Sequence, residues 1–128
     1  MKYALSFTFV AFILTACSYK ANIAKSATVV FKTPKMKFYD KGFVNKFDEY
    51  INLQIYNVGT VVLNINIYKD MICKSALQCM SSKEFNQKFL SASYEDDFLY
   101  KLFSKDNIRF KDRDNSILIK VKYDKITK

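Results

Sequence analysis

The chain has 128 residues, half of them hydrophobic and 16% aromatic, and a formal net charge of +9. This composition excludes a disordered or collagen-like chain, and the length suits one globular core. The sequence contains no histidine, which excludes serine–histidine and cysteine–histidine catalytic pairs and the common histidine-ligated zinc sites. We therefore expect a protein that is not an enzyme and that holds neither a metal nor a cofactor.

The first sixteen residues have the pattern of an export signal. Lys2 precedes an apolar run over residues 3–16, which is shorter than the roughly 20 residues that a membrane-spanning helix needs. The run ends in Leu14-Thr15-Ala16-Cys17, which resembles the bacterial lipobox. That resemblance implies cleavage before Cys17 and acylation of its sulfur, for which a thiol is a suitable nucleophile. The alternative is an internal buried helix in which Cys17 is a small apolar residue.

Acyl chains on Cys17 would hold the protein firmly at a membrane, because each buried CH₂ contributes about 0.8 kcal/mol. Ser18 follows the cysteine, at the position where lipoproteins retained in the inner membrane usually carry aspartate, so the resemblance implies an outer-membrane location. We divide the chain into a signal peptide at 1–16, a lipidated tether at 17–26 and a single domain at 27–128.

The positive charge predicts an acidic partner. In the cytoplasm it would suggest nucleic acid, but export removes that expectation. An acidic glycan, lipid or protein at an envelope surface remains. The alternative is that the lysines are spread over the surface and serve solubility.

Two cysteines remain after lipidation of Cys17. Cys73 and Cys79 form an even pair in an oxidising compartment, which predicts a disulfide. A bridge that closes a loop of about seven residues would stabilise the fold by about 2.4 kcal/mol. The alternatives are two free buried thiols, or a redox site, which the spacing disfavours because it is not Cys-x-x-Cys.

Short extended runs follow the tether. Residues 27–32, 36–39 and 43–47 are rich in β-branched and aromatic side chains, and Pro34 separates the first two runs. The tripeptide Asp40-Lys41-Gly42 predicts a turn between the second run and the third.

The clearest strand signal lies in the middle of the chain. Residues 50–56 and 61–68 alternate apolar and polar side chains around Asn57-Val58-Gly59. This pattern predicts an antiparallel hairpin with one buried face.

Two helices are expected next. Ser81 and Glu84 have the spacing of a capping box, and Phe85 and Phe89 lie one turn apart. A second helix is expected to begin with acidic residues in its first turn, at 95–97. Its apolar stripe comprises Phe98, Leu99, Leu102 and Phe103.

The chain closes with a second hairpin. Residues 107–111 and 116–123 flank the turn Asp112-Arg113-Asp114-Asn115, and the last run alternates apolar residues with lysines. The basic face of this hairpin carries the candidate partner-binding residues Lys111, Lys120 and Lys122.

Four carboxylates could suggest catalysis or metal binding: Asp96, Asp97, Asp112 and Asp114. A carboxylate pair can hydrolyse glycosides, but neighbouring carboxylates more often start helices or form turns. The segment at 112–115 is similar to the start of a calcium loop, yet the required glycine and later glutamate are missing. We therefore expect turn chemistry there.

About seven short strands with one helical crossover predict a mainly β fold, an antiparallel two-sheet β-sandwich with one or two short helices. The alternative is an α+β domain in which one antiparallel sheet is packed by two helices. The lipobox, Cys-x₅-Cys followed by MSSKEF at 80–85, and the runs IRFKD at 108–112 and ILIK at 117–120 together resemble small lipoproteins of Campylobacter-type epsilon-proteobacteria. That resemblance covers most of the chain and implies an immunoglobulin-like sandwich with a role in cell-surface interaction.

The leading functional hypothesis is a binding or adhesion module at the membrane. Its basic charge and nine tyrosines suit an interface, since tyrosine combines a large contact area with a polar group. The alternative is a structural or envelope-assembly subunit whose sheet edge pairs with a second copy, as a homodimer, or with another envelope protein.

Overall fold

The computed structural model describes residues 24–75 and 77–125. The expected signal peptide, Cys17 and most of the expected tether lie outside these residues. The described chain forms eight strands and two short helices, which confirms the mainly β prediction. None of its helices has the length and apolar character needed to cross a membrane. In chain order the elements are β1 Lys25–Lys32, β2 Lys37–Lys46, β3 Ile51–Asn57, β4 Thr60–Ile67, β5 Met71–Ser75, β6 Gln78–Ser81, α1 Ser82–Phe89, α2 Phe98–Phe103, β7 Arg109–Asp112 and β8 Ile117–Tyr123.

All eight strands belong to one antiparallel sheet with the order β6-β5-β4-β3-β2-β1-β8-β7. From β1 to β6, each strand is paired with its neighbours in sequence, and β6 forms one edge of the sheet. The two helices then carry the chain back, so that β8 pairs with the free side of β1. The fold is therefore the alternative given above, a single antiparallel sheet packed by two helices. The helices form the layer that a second sheet would form in the predicted sandwich.

The hydrophobic core lies between one face of the sheet and the two helices. In β1 the alternate residues Ala27, Val29 and Phe31 are completely buried, as the two-residue period of a strand requires. The helices contribute buried apolar side chains to the same cluster, namely Phe85, Leu99, Leu102 and Phe103. We call this side of the sheet the core face and the opposite side the outer face.

The turn expected at Asp40-Lys41-Gly42 is not formed, because these residues continue β2. Gly42 pairs with Ala27 on β1 and with Ile55 on β3. A Cβ atom at Gly42 would lie 2.2 Å from the backbone oxygen of Gln54. Glycine is therefore needed here for the close approach of a neighbouring strand, not for a turn.

The central hairpin is confirmed as β3 and β4 with a tight turn at residues 58–59. Val58 and Gly59 both have positive φ angles, of 49° and 75°, as a type I′ hairpin turn requires. The β5–β6 hairpin that follows was not predicted. It sets Cys73 directly opposite Cys79, and the predicted disulfide joins them.

The first helix starts as the sequence predicts. Ser81 is its N-cap, and the hydroxyl of Ser81 accepts a hydrogen bond of 3.1 Å from the backbone N–H of Glu84. The second helix starts later than expected, with Asp97 as its N-cap, so the acidic residues precede its first turn. Lys101 instead reaches back to Glu95 and Asp97, at 2.9 Å and 3.4 Å.

Candidate functional site: the outer face of the sheet

The three lysines predicted from the sequence as partner-binding residues all lie on the outer face. Lys120 and Lys122 alternate along β8 with buried apolar residues, and Lys111 lies on the neighbouring strand β7. All three are exposed. The strand pairing therefore brings the candidate partner-binding residues together on one surface.

Four further basic side chains share this surface and were not predicted. Arg109 is paired with Lys120 across β7 and β8, and the other three extend from β1 and β2. All are exposed. We call the resulting set of seven residues the basic face: Lys32, Lys37, Lys41, Arg109, Lys111, Lys120 and Lys122.

Acidic side chains are almost excluded from the outer face within the described residues. The strands contain two aspartates, Asp40 and Asp112, and both have the register of the core face. Asp124, directly after β8, accepts hydrogen bonds from Lys41 at 2.8 Å and from the hydroxyl of Ser26 at 2.9 Å. These bonds hold the pKa of the Asp124 carboxyl below its usual value. Repulsion among the other cations is therefore uncompensated, which suits an anionic partner.

An array of amide side chains adjoins the basic face on strands β2, β3 and β4. Asn45, Asn52 and Asn66 stand opposite one another across the three strands. The amide nitrogen of Asn52 donates to the side-chain oxygens of Asn64 and Asn66, at 2.9 Å and 2.8 Å. The side-chain oxygen of Asn45 is buried and has no hydrogen-bond partner among the described residues. We call Asn45, Asn52, Gln54, Asn64 and Asn66 the amide array.

Aromatic rings separate the two groups. Phe43 and Tyr56 form an edge-to-face pair with ring centroids 5.6 Å apart. The hydroxyl of Tyr56 donates a hydrogen bond of 2.6 Å to Gln54. Tyr39 stands within the basic face on β2 and is 69% exposed. The outer face thus combines cations, neutral hydrogen-bonding groups and one strongly exposed ring.

The segment at 112–115 comprises the last residue of β7, Asp112, and most of the turn at 113–116 that leads into β8. The Asp112 carboxylate accepts hydrogen bonds from the hydroxyl of Tyr94 at 2.5 Å and from the backbone and side chain of Asn115, at 3.2 Å and 2.7 Å. The bond from Tyr94 is the main reason why the pKa of Asp112 is lowered. Both oxygens of the carboxylate therefore have partners within the chain, as expected for turn chemistry. Within the described ranges, no three side chains of the metal-binding types are grouped around a common point.

A separate depression lies away from the outer face. It is an open cleft of about 520 Å³ whose lining includes Asp48, Glu49 and Asp70 with the rings of Tyr68 and Tyr100. The carboxylates considered above as catalytic candidates do not line it. The ammonium group of Lys69 lies 5.5 Å from the centre of the Tyr100 ring, which partly offsets the acidic character of this cleft.

Comparison with family models, with curated proteins and with solved structures finds no match to this chain.

Proposed function

We propose that this chain is a lipid-anchored lipoprotein of the bacterial outer membrane and that its domain is a non-catalytic binding module. The observation that carries the binding role is the basic face, on which seven cations lie together while the acidic residues of the strands are directed to the other side. An acidic partner docking there would relieve the repulsion among these cations. The proposed membrane location is supported by the apolar run at 3–16 and by the lipobox-like Leu14-Thr15-Ala16-Cys17.

The sheet edges favour a binding module over assembly by strand pairing. Both edge strands, β6 and β7, are only four residues long. Strand β7 also exposes Arg109 and Lys111. Short edges with charged side chains discourage pairing with another chain, so a structural subunit or a homodimer formed through an edge is the weaker proposal.

The anchor is tested by labelling. Cells that express the full chain should incorporate radiolabelled palmitate into it, because Cys17 supplies the thiol for acylation. The variant Cys17→Ser should lose the label and appear as the unprocessed precursor on a gel. An equal signal from the variant would contradict the lipid anchor, whereas Cys79→Ser serves as a control that should keep the label.

The binding role is tested by charge reversal on the outer face. The triple variant Lys111→Glu, Lys120→Glu, Lys122→Glu should bind cultured epithelial cells at least about tenfold more weakly than the unchanged full chain. Exposed ion pairs are worth about 0.2–1 kcal/mol each, and each reversal also adds repulsion. Binding is measured with the fluorescently labelled full chain held in phosphatidylcholine nanodiscs.

The matched control reverses the same number of charges away from the outer face. Lys83 lies on α1, Lys105 follows α2, and Lys74 on β5 lines a depression next to Phe85, on the core side of the sheet. The triple variant Lys74→Glu, Lys83→Glu, Lys105→Glu should retain cell binding. Equal weakening by both triple variants would show an effect of net charge alone and would overturn the proposed site. Absence of saturable binding by the unchanged chain would also contradict the proposed function.

A further inference from the structure

The basic face is divided lengthwise by β1, whose central outward side chains are short. Thr28 and Val30 form a low floor, and Val30 is only 8% exposed although it lies on the outer face. On one side, β8 presents Lys120 opposite Val30 and Lys122 opposite Thr28. Neighbouring strands lie about 4.8 Å apart, so the rows on β8 and β2 are about 10 Å apart. The cations thus stand in two facing rows along a shallow trough.

The second row belongs to β2. Tyr39 lies opposite Val30 and Lys41 lies opposite Thr28, while Lys37 lies opposite Lys32 at the end of the trough. Lys41 is already held by Asp124, so Lys37 is the cation of this row without such an ion pair among the described residues. We use the name basic trough for the two rows with the strand between them: Lys37, Tyr39 and Lys41 on β2, Lys120 and Lys122 on β8, and Thr28, Val30 and Lys32 on β1.

We propose that the basic trough binds a linear acidic polysaccharide that lies along β1; this inference rests on the proposed function and names the partner class. A linear polyanion that lies along β1 can contact lysines in both rows at once. Carboxylate or sulfate groups on the polysaccharide would accept charge-assisted hydrogen bonds from the lysine ammonium groups.

The exposed ring of Tyr39 supports a sugar chain in particular. It stands between Lys37 and Lys41 on β2 with 69% of its surface exposed. Such a ring can cover the apolar side of a sugar and still offer a hydroxyl for hydrogen bonding. Single-stranded nucleic acid is usually bound by several aromatic rings that stack on successive bases.

The amide array lies on the same face of the sheet as the trough, and its side chains can bind hydroxyl groups. The side-chain nitrogens of Asn64 and Asn66 donate to no residue that the structure describes, while their oxygens are held by Asn52. An amide nitrogen has two N–H groups that can donate to a hydroxyl oxygen. A ligand that carries both acidic groups and hydroxyls therefore suits an outer face on which the amide array lies beyond the β2 row of the trough.

The test uses the full chain in phosphatidylcholine nanodiscs and a heparin hexasaccharide as the probe, at one fixed ionic strength. The hexasaccharide should bind, and a heparin disaccharide should bind more weakly because it reaches fewer lysines. Reversing the charges of the β8 row with the double variant Lys120→Glu, Lys122→Glu should weaken hexasaccharide binding at least about tenfold. Lys37→Glu, in the other row, should weaken it several-fold, whereas Lys83→Glu with Lys105→Glu should leave it unchanged.

Variants at Tyr39 separate ring contact from charge. Tyr39→Ala should weaken hexasaccharide binding several-fold, and Tyr39→Phe should preserve it. Because Tyr39 is exposed, neither variant should alter the unfolding transition. Equal binding by Tyr39→Ala and the unchanged chain would overturn the assigned role of the ring and, with it, the orientation of a sugar chain in the trough.

Two other probes show whether the polysaccharide assignment fails while the proposed function stands. Tighter binding of phosphatidylglycerol vesicles, or of a thymidine oligonucleotide, than of the hexasaccharide would overturn the polysaccharide assignment. If none of the three probes binds while epithelial cells are still bound through the basic face, the polysaccharide is wrong and the proposed function stands. If cell binding also ignores the charge reversals, both fail.

Discussion

Replacing Phe103 by alanine is expected to lower the free energy of unfolding by about 3–5 kcal/mol, as for other fully buried phenylalanines. Phe103 lies on α2 and is completely buried within the cluster that α2 shares with the sheet. Its removal would leave a cavity between the two layers, where the surrounding strands can collapse only partly. The change is measured by urea unfolding of the full chain, followed by circular dichroism.

The matched control for this substitution is Phe47→Ala. Phe47 is 39% exposed and its ring stacks on Tyr50 with centroids 4.7 Å apart. Loss of such a partly exposed pair should cost only about 1 kcal/mol. If Phe103→Ala were no more destabilising than Phe47→Ala, the helices would not be the second layer of the core.

The second large effect is expected at Gly42. The variant Gly42→Ala should lower the free energy of unfolding by about 3 kcal/mol or more, at the upper end of the usual cost of overpacking. The added Cβ would lie 2.2 Å from the backbone oxygen of Gln54 and 3.2 Å from a methyl group of Val29. A backbone atom within a paired strand cannot rotate away, so β2 and β3 would have to separate.

Gly59 provides a comparison in which the reason for glycine is different. Its φ angle is +75°, and an added Cβ would meet no atom within 4 Å. Gly59→Ala should therefore cost only the conformational penalty of a left-handed residue, about 1–2 kcal/mol. Both variants are compared by the same urea titration. An equal cost for the two would support the turn that the sequence suggested at Gly42, and would argue against a continuous β2.

Local signals predicted the fold well where a few neighbouring residues determine the structure. The β3–β4 hairpin follows from alternation and from the turn at Val58 and Gly59, and the start of α1 follows from Ser81 and Glu84. The disulfide followed from the even number of cysteines that remained. Each of these features depends on residues within one element or one hairpin.

Features that depend on distant contacts could not be predicted in this way. The single sheet results from the pairing of β1 with β8, the first and last strands of the described chain. The role of Gly42 depends on Gln54 in the next strand, so the tripeptide at 40–42 alone favoured a turn. Strands β5 and β6 are short, and their sequence shows no sustained alternation.

The candidate site was predicted in part for the same reason. Lys120 and Lys122 alternate with Ile119 and Val121 along β8, so their common face was visible in the sequence. The contribution of β1 and β2 depends on the register with β8, which sets Lys120 opposite Val30. The two-row arrangement therefore became apparent only with the strand order.

The position of β8 also constrains when the protein can fold. A chain that emerges N-terminus first can form the meander from β1 to β6 early, but the free side of β1 stays unpaired until residues 117–123 have emerged. An unpaired strand side can pair with other chains and aggregate. Folding is therefore completed only after nearly all of the described chain has emerged, and loss of β8 would leave the free side of β1 open to pairing with other chains.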